Sequence, residues 1–215
     1  MNTNPLVSIL IPIYNVEKYL GKCLDSVFSQ TYKNVEYVFV DDCSTDNSYD
    51  VLMSSIEQNN IPEYKYTIVR HKQNEGIAVS RADCIAHAKG EYVQFVDSDD
   101  WLEVNMTEEM VAATNNSKID LVGCYYIKDF LSGENTCHKE NYSYSCSENL
   151  MKCINYDIST VLWKMLIKRG LFSNFSITPH IDIVEDYIIS VKLYFYANSF
   201  AIVDKYLYHY VQYNE

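Results

Sequence analysis

The amino-acid sequence predicts an α/β protein built on a Rossmann-like, mostly parallel sheet flanked by helices, with a less regular C-terminal portion. Three observations carry this expectation. Short β-rich apolar runs alternate with segments of helical periodicity through the first half of the chain; each apolar run ends on polar residues; and no run approaches the roughly 18 uncharged apolar residues of a membrane span. Such alternation calls for right-handed crossovers and puts ligands at the carboxyl ends of the strands.

"LVSILIPIY", residues 6–14, is a buried-strand pattern closed by Asn15. Val16, Tyr19, Leu20, Cys23, Leu24, Val27 and Phe28 then recur at three- and four-residue intervals, the mark of an amphipathic helix. "VEYVFV", residues 35–40, is a second strand stopping at Asp41 and Asp42, after which "STDNSYDVLMSSI" offers N-cap residues and a second helix. Residues 66–70 read as a strand, 77–88 as a helix ending at Gly90, and 92–96 as a fourth strand. Beyond Leu102 the order loosens: a helix near 108–114, a strand near 120–127, and a polar stretch at 132–147 suited to a long loop or hairpin. Residues 161–172 read as a strand leading to a short helix, 184–197 as a helix, and 200–211 as terminal strands.

A chain of 215 residues with 48% hydrophobic and 21% charged residues can bury one substantial core, and residues 1–215 read as a single unit. The net charge of -12 would repel a phosphate backbone, and no Lys/Arg cluster offsets it, which argues against nucleic acid as a partner. A phosphorylated ligand would need positive charge from elsewhere, such as a divalent cation. The seven cysteines are scattered without a C-x-x-C pair, favouring free thiols in a reducing cytosol over a disulfide framework or zinc site. The N-terminal "MNTNPLVSILIPIYNV" has no basic n-region, and Ser8, Pro12 and Asn15 interrupt its apolar run, so it does not read as a signal peptide.

Six dispersed glycines form neither G-x-G-x-x-G nor a P-loop, and G-x-S-x-G is absent, which disfavours dinucleotide dehydrogenases, P-loop NTPases and α/β-hydrolases. What remains is acidic. "YVQFVDSDDWL" runs an apolar strand into Asp97, Asp99 and Asp100. Kept extended, the chain would hold Asp97 and Asp99 on one side and Ser98 on the other, a pair suited to Mg²⁺ or Mn²⁺. Taken alone, a D-x-D is more often a helix cap or solvated turn; its position after a strand in an α/β alternation favours the cation.

The segments "VSILIPIYNVEKYLGKCLDSVFSQTYKNVEYVFVDDCSTDNS", "NEGIAVSRADCIAHAKGEYVQFVDSDDWL" and "VEDYIISVKLYFYANSFAIVDKYLYHY" span most of the chain from Val7 to Tyr210. In order and spacing they resemble a family 2 glycosyltransferase with the GT-A fold. The resemblance implies a metal-dependent, inverting transfer of a sugar from a nucleotide-diphosphate donor, with UDP expected, to an acceptor hydroxyl in polysaccharide or glycoconjugate synthesis. It implies a nucleotide-sugar half at about 1–102 and an acceptor-side half at about 103–215. Carried over residue by residue, Pro12, Tyr14 and Glu17 line the nucleotide pocket, Asp41 accepts a hydrogen bond from the base, Asp42 buttresses the turn, and Arg81 faces the nucleotide or its diphosphate. Asp97 reaches ribose or metal, Ser98 lies beside it on the donor, Asp99 ligates Mn²⁺ or Mg²⁺, and Asp100 caps the next segment.

Of the pair Glu185 and Asp186, the resemblance makes Asp186 the general base, while Glu185, Trp163 and Lys164 belong to the acceptor side. The bland readings stand beside these: a core Tyr14, a surface Arg81, two acids complementing a helix dipole, a core Trp163. His209 is a further candidate near the last strand. Two departures from the family pattern concern Cys43, where Gly is common, and Asp83, where Asn is common. Expected partners are the donor and a glycan or lipid-linked glycan, with a cytoplasmic location that could include the inner membrane face. Rival readings are a sugar nucleotidyltransferase, which would release pyrophosphate, and a degenerate sugar-nucleotide or glycan-binding module. The sequence leaves the sugar, the acceptor and the oligomeric state open.

Overall fold

The computed structural model describes residues 4–179, 181 and 183–212. The N-terminal reading rests partly on residues 1–3, which lie outside them. The first half alternates as the periodicities predict: β1 (Val7–Ile13), α1 (Leu20–Phe28), β2 (Val35–Asp41), α2 (Ser48–Gln58), β3 (Tyr66–Arg70), α3 (Ile77–His87) and β4 (Tyr92–Phe95). Then come β5 (Trp101–Leu102), α4 (Met106–Ala113), β6 (Leu121–Phe130), β7 (Asn135–His138), α5 (Cys146–Ile154), β8 (Met165–Lys168), α6 (Glu185–Tyr196) and β9 (Phe200–Gln212).

Nine strands form one sheet in the order β3-β2-β1-β4-β8-β6-β9-β5, with β7 pairing on β6. The β3-β2-β1-β4 half is parallel. In the remainder, β8 is antiparallel to both β4 and β6, and β9 runs parallel to β6. Every residue of β1 and β2 is buried, because the sheet is covered on both faces. One core cluster contains Ile9, Leu24, Phe39 and Trp163; the other, around Leu10, Val93, Ile167 and Leu193, packs α3, α5 and α6.

Because β1 lies between β2 and β4, the chain direction around the sheet reverses there, and a crevice opens at the carboxyl ends. Pro12 helps open it. The carbonyl of Leu10 accepts from Val96 N–H, and the β1–β4 register ends at Leu10 and Phe95, whereas β2 stays paired through Ile13. Alternation turns Pro12 toward the same edge as Leu10, so the N–H that proline lacks is one β4 no longer needs.

Several expectations change. The polar stretch at 132–147, read as a long loop or hairpin, holds the second arm of a hairpin, β7, which pairs back on β6, and it ends where the unexpected α5 begins. A signal for α5 was present: Ser145 and Glu148 have capping-box spacing, and Ser145 Oγ accepts from Glu148 N–H at 3.3 Å. The "terminal strands" are the single long β9, with register shifts at Gly123 to Tyr126 of its partner. The two-residue β5 pairs with β9, a long-range contact that no local pattern marks.

Cys43 takes φ 62°, the left-handed region for which glycine is suited. Cys43→Gly relieves strain of about 1–2 kcal/mol. It also adds about 0.5–1 kcal/mol of unfolded-state entropy. A net gain of up to about 1.5 kcal/mol is expected, read as a higher urea midpoint with unchanged slope.

Candidate active site

A cleft of about 570 Å³ lies at the crevice, within the range of small-ligand sites. The β1 exit supplies Pro12, Tyr14 and Asn15; the turn before α3 supplies Asn74 and Gly76; α3 supplies Ser80 and Arg81; the β4 exit supplies Asp97, Ser98 and Asp99. The β1 exit is stitched to the loop after β2. Asn15, at φ 47°, accepts from Thr45 N–H at 2.8 Å, Val16 N–H donates to Ser48 Oγ at 2.8 Å, and Glu17 N–H donates to Asp46 at 3.0 Å. Tyr14 is left half exposed on the cleft wall.

After β4 the chain does not stay extended. Asp100 N–H donates to the Asp97 carbonyl at 3.1 Å, a turn that nonetheless brings Asp97, Ser98 and Asp99 to the cleft together. The turn is held from β9: the Tyr208 hydroxyl accepts from Asp97 N–H at 3.1 Å and donates to Asp100 at 2.8 Å. Asp100 is therefore not a helix cap. Buried, it also accepts from Val211 N–H at 2.8 Å and ties the turn to β9. Burial, then Asp97 and Asp99, push its carboxyl up to about 9. Burial and then Asp97 likewise raise Asp99 above the usual carboxylate range.

Arg81 is the hub of the site. Its buried guanidinium ion-pairs with Asp186, lies 3.2 Å from Asp97 and 3.8 Å from Glu185. Burial works against its charge, but Asp186, Asp97 and Glu185 together hold the proton more firmly than usual. Its Nε and the Ser80 hydroxyl have no protein partner among the described residues, leaving donor capacity on the α3 wall. Asp186, in the first turn of α6, also accepts from Leu162 N–H. Its carboxyl is pushed up to about 7, chiefly by burial; Arg81 opposes the rise, and Asp97 and Glu185 add to it.

The structure thus gathers Pro12, Tyr14, Arg81, Asp97, Ser98, Asp99, Glu185 and Asp186 around one crevice, and it sends five other candidates elsewhere. Asp41 is fully buried; it accepts from Ser44 N–H at 3.0 Å and pairs with Arg70 Nε at 2.8 Å, and Asp42 takes its place in the cleft lining. Glu17 turns to the N-terminus of α2, accepting from the Asn47 backbone N–H at 2.9 Å and its side-chain amide at 2.7 Å. Trp163 is a core residue, stacked on Tyr208 with centroids 4.1 Å apart. Lys164 is fully buried, its ammonium donating to Glu140 at 2.7 Å and to Ser159. A long cationic chain in the core requires a carboxylate near it in space, and Glu140 is distant in sequence. Neither Trp163 nor Lys164 offers surface to an acceptor. His209 is also buried, stacked on Trp101 and bonded to Asp129 and Glu103. Asn74, Gly76 and Ser80 carry no separate signal in the sequence, although "NEGIAVS" belongs to the segments that carry the family resemblance.

The acids suit a hard cation. Asp97 and Asp99 offer carboxylate oxygens alone, and the crowding that raises Asp99 is relieved by a positive ion. Among the described residues no group of three or more His, Cys, Asp or Glu could hold a metal unaided, so phosphate oxygens and water would complete the shell.

Comparison with known proteins identifies the family. The model of the family described as Glycosyl transferase family 2 matches residues 8–175, which stops short of Asp186. EpsH of Bacillus subtilis is 31% identical over 214 residues, covering 96% of this chain and 60% of EpsH. The UDP-Glc:alpha-D-GlcNAc-diphosphoundecaprenol beta-1,3-glucosyltransferase WfaP of Escherichia coli is 30% identical, covering 87% of this chain and 70% of WfaP. Among solved structures, S. aureus TarS 1-349 in complex with UDP-GlcNAc superposes with a TM-score of 0.81 at 20% identity, over 97% of this chain and 59% of that one. A mannosyltransferase from Pyrobaculum calidifontis in complex with GDP-Man and Mn²⁺ gives 0.70 at 18%, over 97% of this chain and 56% of that one. These likenesses show a shared fold, and the chain spans about 60% of the length of EpsH and of TarS 1-349.

Proposed function

Because the chain belongs to glycosyl transferase family 2, we propose that it transfers a sugar, with inversion, from a nucleotide-diphosphate donor to an acceptor hydroxyl in polysaccharide or glycoconjugate synthesis. One observation carries this reading. Arg81 joins the Asp97–Asp99 turn on the donor side to Asp186 on α6, so leaving-group and base functions share a single buried hub.

The donor nucleotide occupies the cleft between the β1 exit and the turn before α3, with its diphosphate toward Asp97 and Asp99. A divalent cation, Mn²⁺ or Mg²⁺, held by Asp99 with Asp97 beside it, would supply Lewis-acid stabilisation to the departing diphosphate. The acceptor oxygen attacks C1 from the opposite side, the C1–diphosphate bond breaks, and Asp186 takes the acceptor proton. A carboxyl raised to about 7 suits a base working near neutrality. Arg81 orients that carboxylate, and Leu162 N–H donates to it as well.

A UDP donor is favoured by WfaP and TarS, whose names and complexes carry UDP-sugars, while the GDP-Man complex keeps guanine in the test. WfaP also makes a lipid-linked acceptor the leading choice. No helix among the described residues is long and apolar enough to cross a membrane; a lipid-linked acceptor like that of WfaP would bring the enzyme to the cytoplasmic face of a membrane.

Incubating the protein with UDP-, GDP- and dTDP-sugars and Mn²⁺ tests the reading. Release of free nucleoside diphosphate supports it; pyrophosphate from a sugar phosphate and a nucleoside triphosphate indicates a nucleotidyltransferase, and binding without turnover indicates a degenerate module. For the cation, UDP titrated by calorimetry should bind roughly tenfold or more tightly with Mn²⁺, and Asp99→Asn should erase that gain. Equal affinity with and without Mn²⁺, retained in the variant, refutes the metal role.

A further inference from the structure

Asp83, the acid standing where asparagine is common, has a partner that the transfer reaction does not use. His71 comes directly after β3, and its backbone N–H donates to the Asp41 carbonyl at 2.9 Å. Its ring is half-buried between two carboxylates: Nδ1 lies 2.6 Å from Asp42 Oδ1, and Nε2 lies 2.9 Å from Asp83 Oδ2. A neutral imidazole has one N–H, so one of these contacts would set a lone pair against a carboxylate; the imidazolium donates to both.

Asp42 passes this arrangement on to the cleft. Its Oδ1 also accepts from Glu75 N–H at 2.8 Å, and its Oδ2 from Gly76 N–H at 2.9 Å. Gly76 has φ 92°, a conformation that few side chains tolerate, and it opens α3. Asn74 and Gly76 line the cleft beside Arg81. One protonated ring therefore joins the end of β2, the 74–76 turn and α3.

We propose that His71, doubly protonated between Asp42 and Asp83, is a positioning residue that holds the 74–76 turn in the shape that receives the donor nucleotide. The donor clause rests on the function proposed above; the hold on the turn does not. Burial works against the imidazolium, but the hydrogen bonds and charges of Asp42 and Asp83 prevail and raise it above the ordinary value of 6.5. Because the folded-state value is raised, the lock is complete below that ordinary value and opens as pH climbs through the raised one. The other charges nearby are committed elsewhere. On β2, Asp41 is paired with Arg70; on α3, Arg81 is paired with Asp97, Glu185 and Asp186; in the turn, Glu75 accepts from Gln73; and the His87 ring lies on the Asp83 carbonyl. Asp83 is thus what a neutral asparagine could not be, the second counter-charge of the ring.

Nitrogen-detected NMR of the wild-type protein tests the lock without any variant. The His71 ring should carry protons on both nitrogens at about pH 6, and amide protection at Glu75 and Gly76, corrected for intrinsic exchange, should fall by about pH 9. UDP-glucose binding by calorimetry should weaken roughly tenfold over the same interval. His71→Gln should bind at both pH values as wild type does at the higher one, and Asp83→Asn should move the step to lower pH. A neutral, single-tautomer ring at the lower pH, or protection unchanged in His71→Gln, overturns the proposal, as does UDP-glucose affinity that is flat with pH and equal in the variant. UDP-glucose that binds at no pH overturns the donor clause, while ring protonation and amide protection still decide the lock.

Discussion

Asp186→Asn is expected to cut sugar transfer by about 100- to 10,000-fold, the usual contribution of a positioned base. UDP affinity should stay within about threefold, because an effect confined to the transition state leaves ground-state binding alone. The amide keeps the shape of the carboxylate, and Arg81 retains Asp97 and Glu185, so the site should remain assembled. The wild-type rate should carry a matching signature. The base must be deprotonated to act, and burial has pushed it up to about 7, so the rate should fall as pH drops through about 7 and level off above it. The residual activity of the variant should lack that limb. Wild-type turnover in Asp186→Asn, or a rate indifferent to pH in this interval, refutes the assignment.

Lys164→Met should destabilise the fold by about 3–5 kcal/mol, since removing one partner of a buried pair strands the other. Burial lowers the Lys164 ammonium, while Lys164 and Ser159 together outweigh burial at Glu140 and hold that carboxylate below its usual range. The Glu140 carboxylate tolerates the interior because of Lys164, whereas at Lys164 burial outweighs Glu140, so the ammonium depends on that carboxylate to stay charged at all. Ser159 joins them, donating its backbone N–H to Glu140 at 3.0 Å and its hydroxyl to the same carboxylate. The double substitution Lys164→Met with Glu140→Gln should recover most of the loss, because the amide is neutral and can still bond Ser159. Urea unfolding of the two variants decides this: a single variant as stable as wild type, or no recovery in the double, shows that the pair is not the source. If Lys164 served an acceptor instead, the single substitution would reduce activity and spare stability.

The two halves of the chain were unequally legible. In β1, β2 and β4 the apolar runs are nearly continuous because both faces of each strand are covered, and such runs announce themselves locally. The helices between them show periodicity because one face is buried, as in α1, where Leu20, Cys23, Leu24 and Val27 are buried. In the second half, β5 exists only through β9, and α5 carries its signal in a cap rather than in a long stripe. Site residues divide in the same way. Asp97 and Asp99 stand at a strand exit that the pattern marks, whereas the burial of Trp163 and Lys164 depends on Tyr208 and Glu140, distant positions that no spacing links to them.

Sequence alone was enough to determine the order of strands and helices in the first half, the carboxyl-end location of the acids and the family resemblance, because these arise from hydrophobic period and from residues adjacent in the chain. Tertiary structure decided which carboxylate faces the cleft and which is sealed behind it. Asp41, the last residue of β2, and Asp42, the first beyond it, are neighbours with opposite fates because successive residues at a strand exit point to opposite sides. It also decided that Arg81 would gather Asp97, Glu185 and Asp186, and that His71 would lie between Asp42 and Asp83. A buried charge settles on whichever opposite charges folding brings within a few ångströms, and that distance is a property of the packed sheet rather than of the chain.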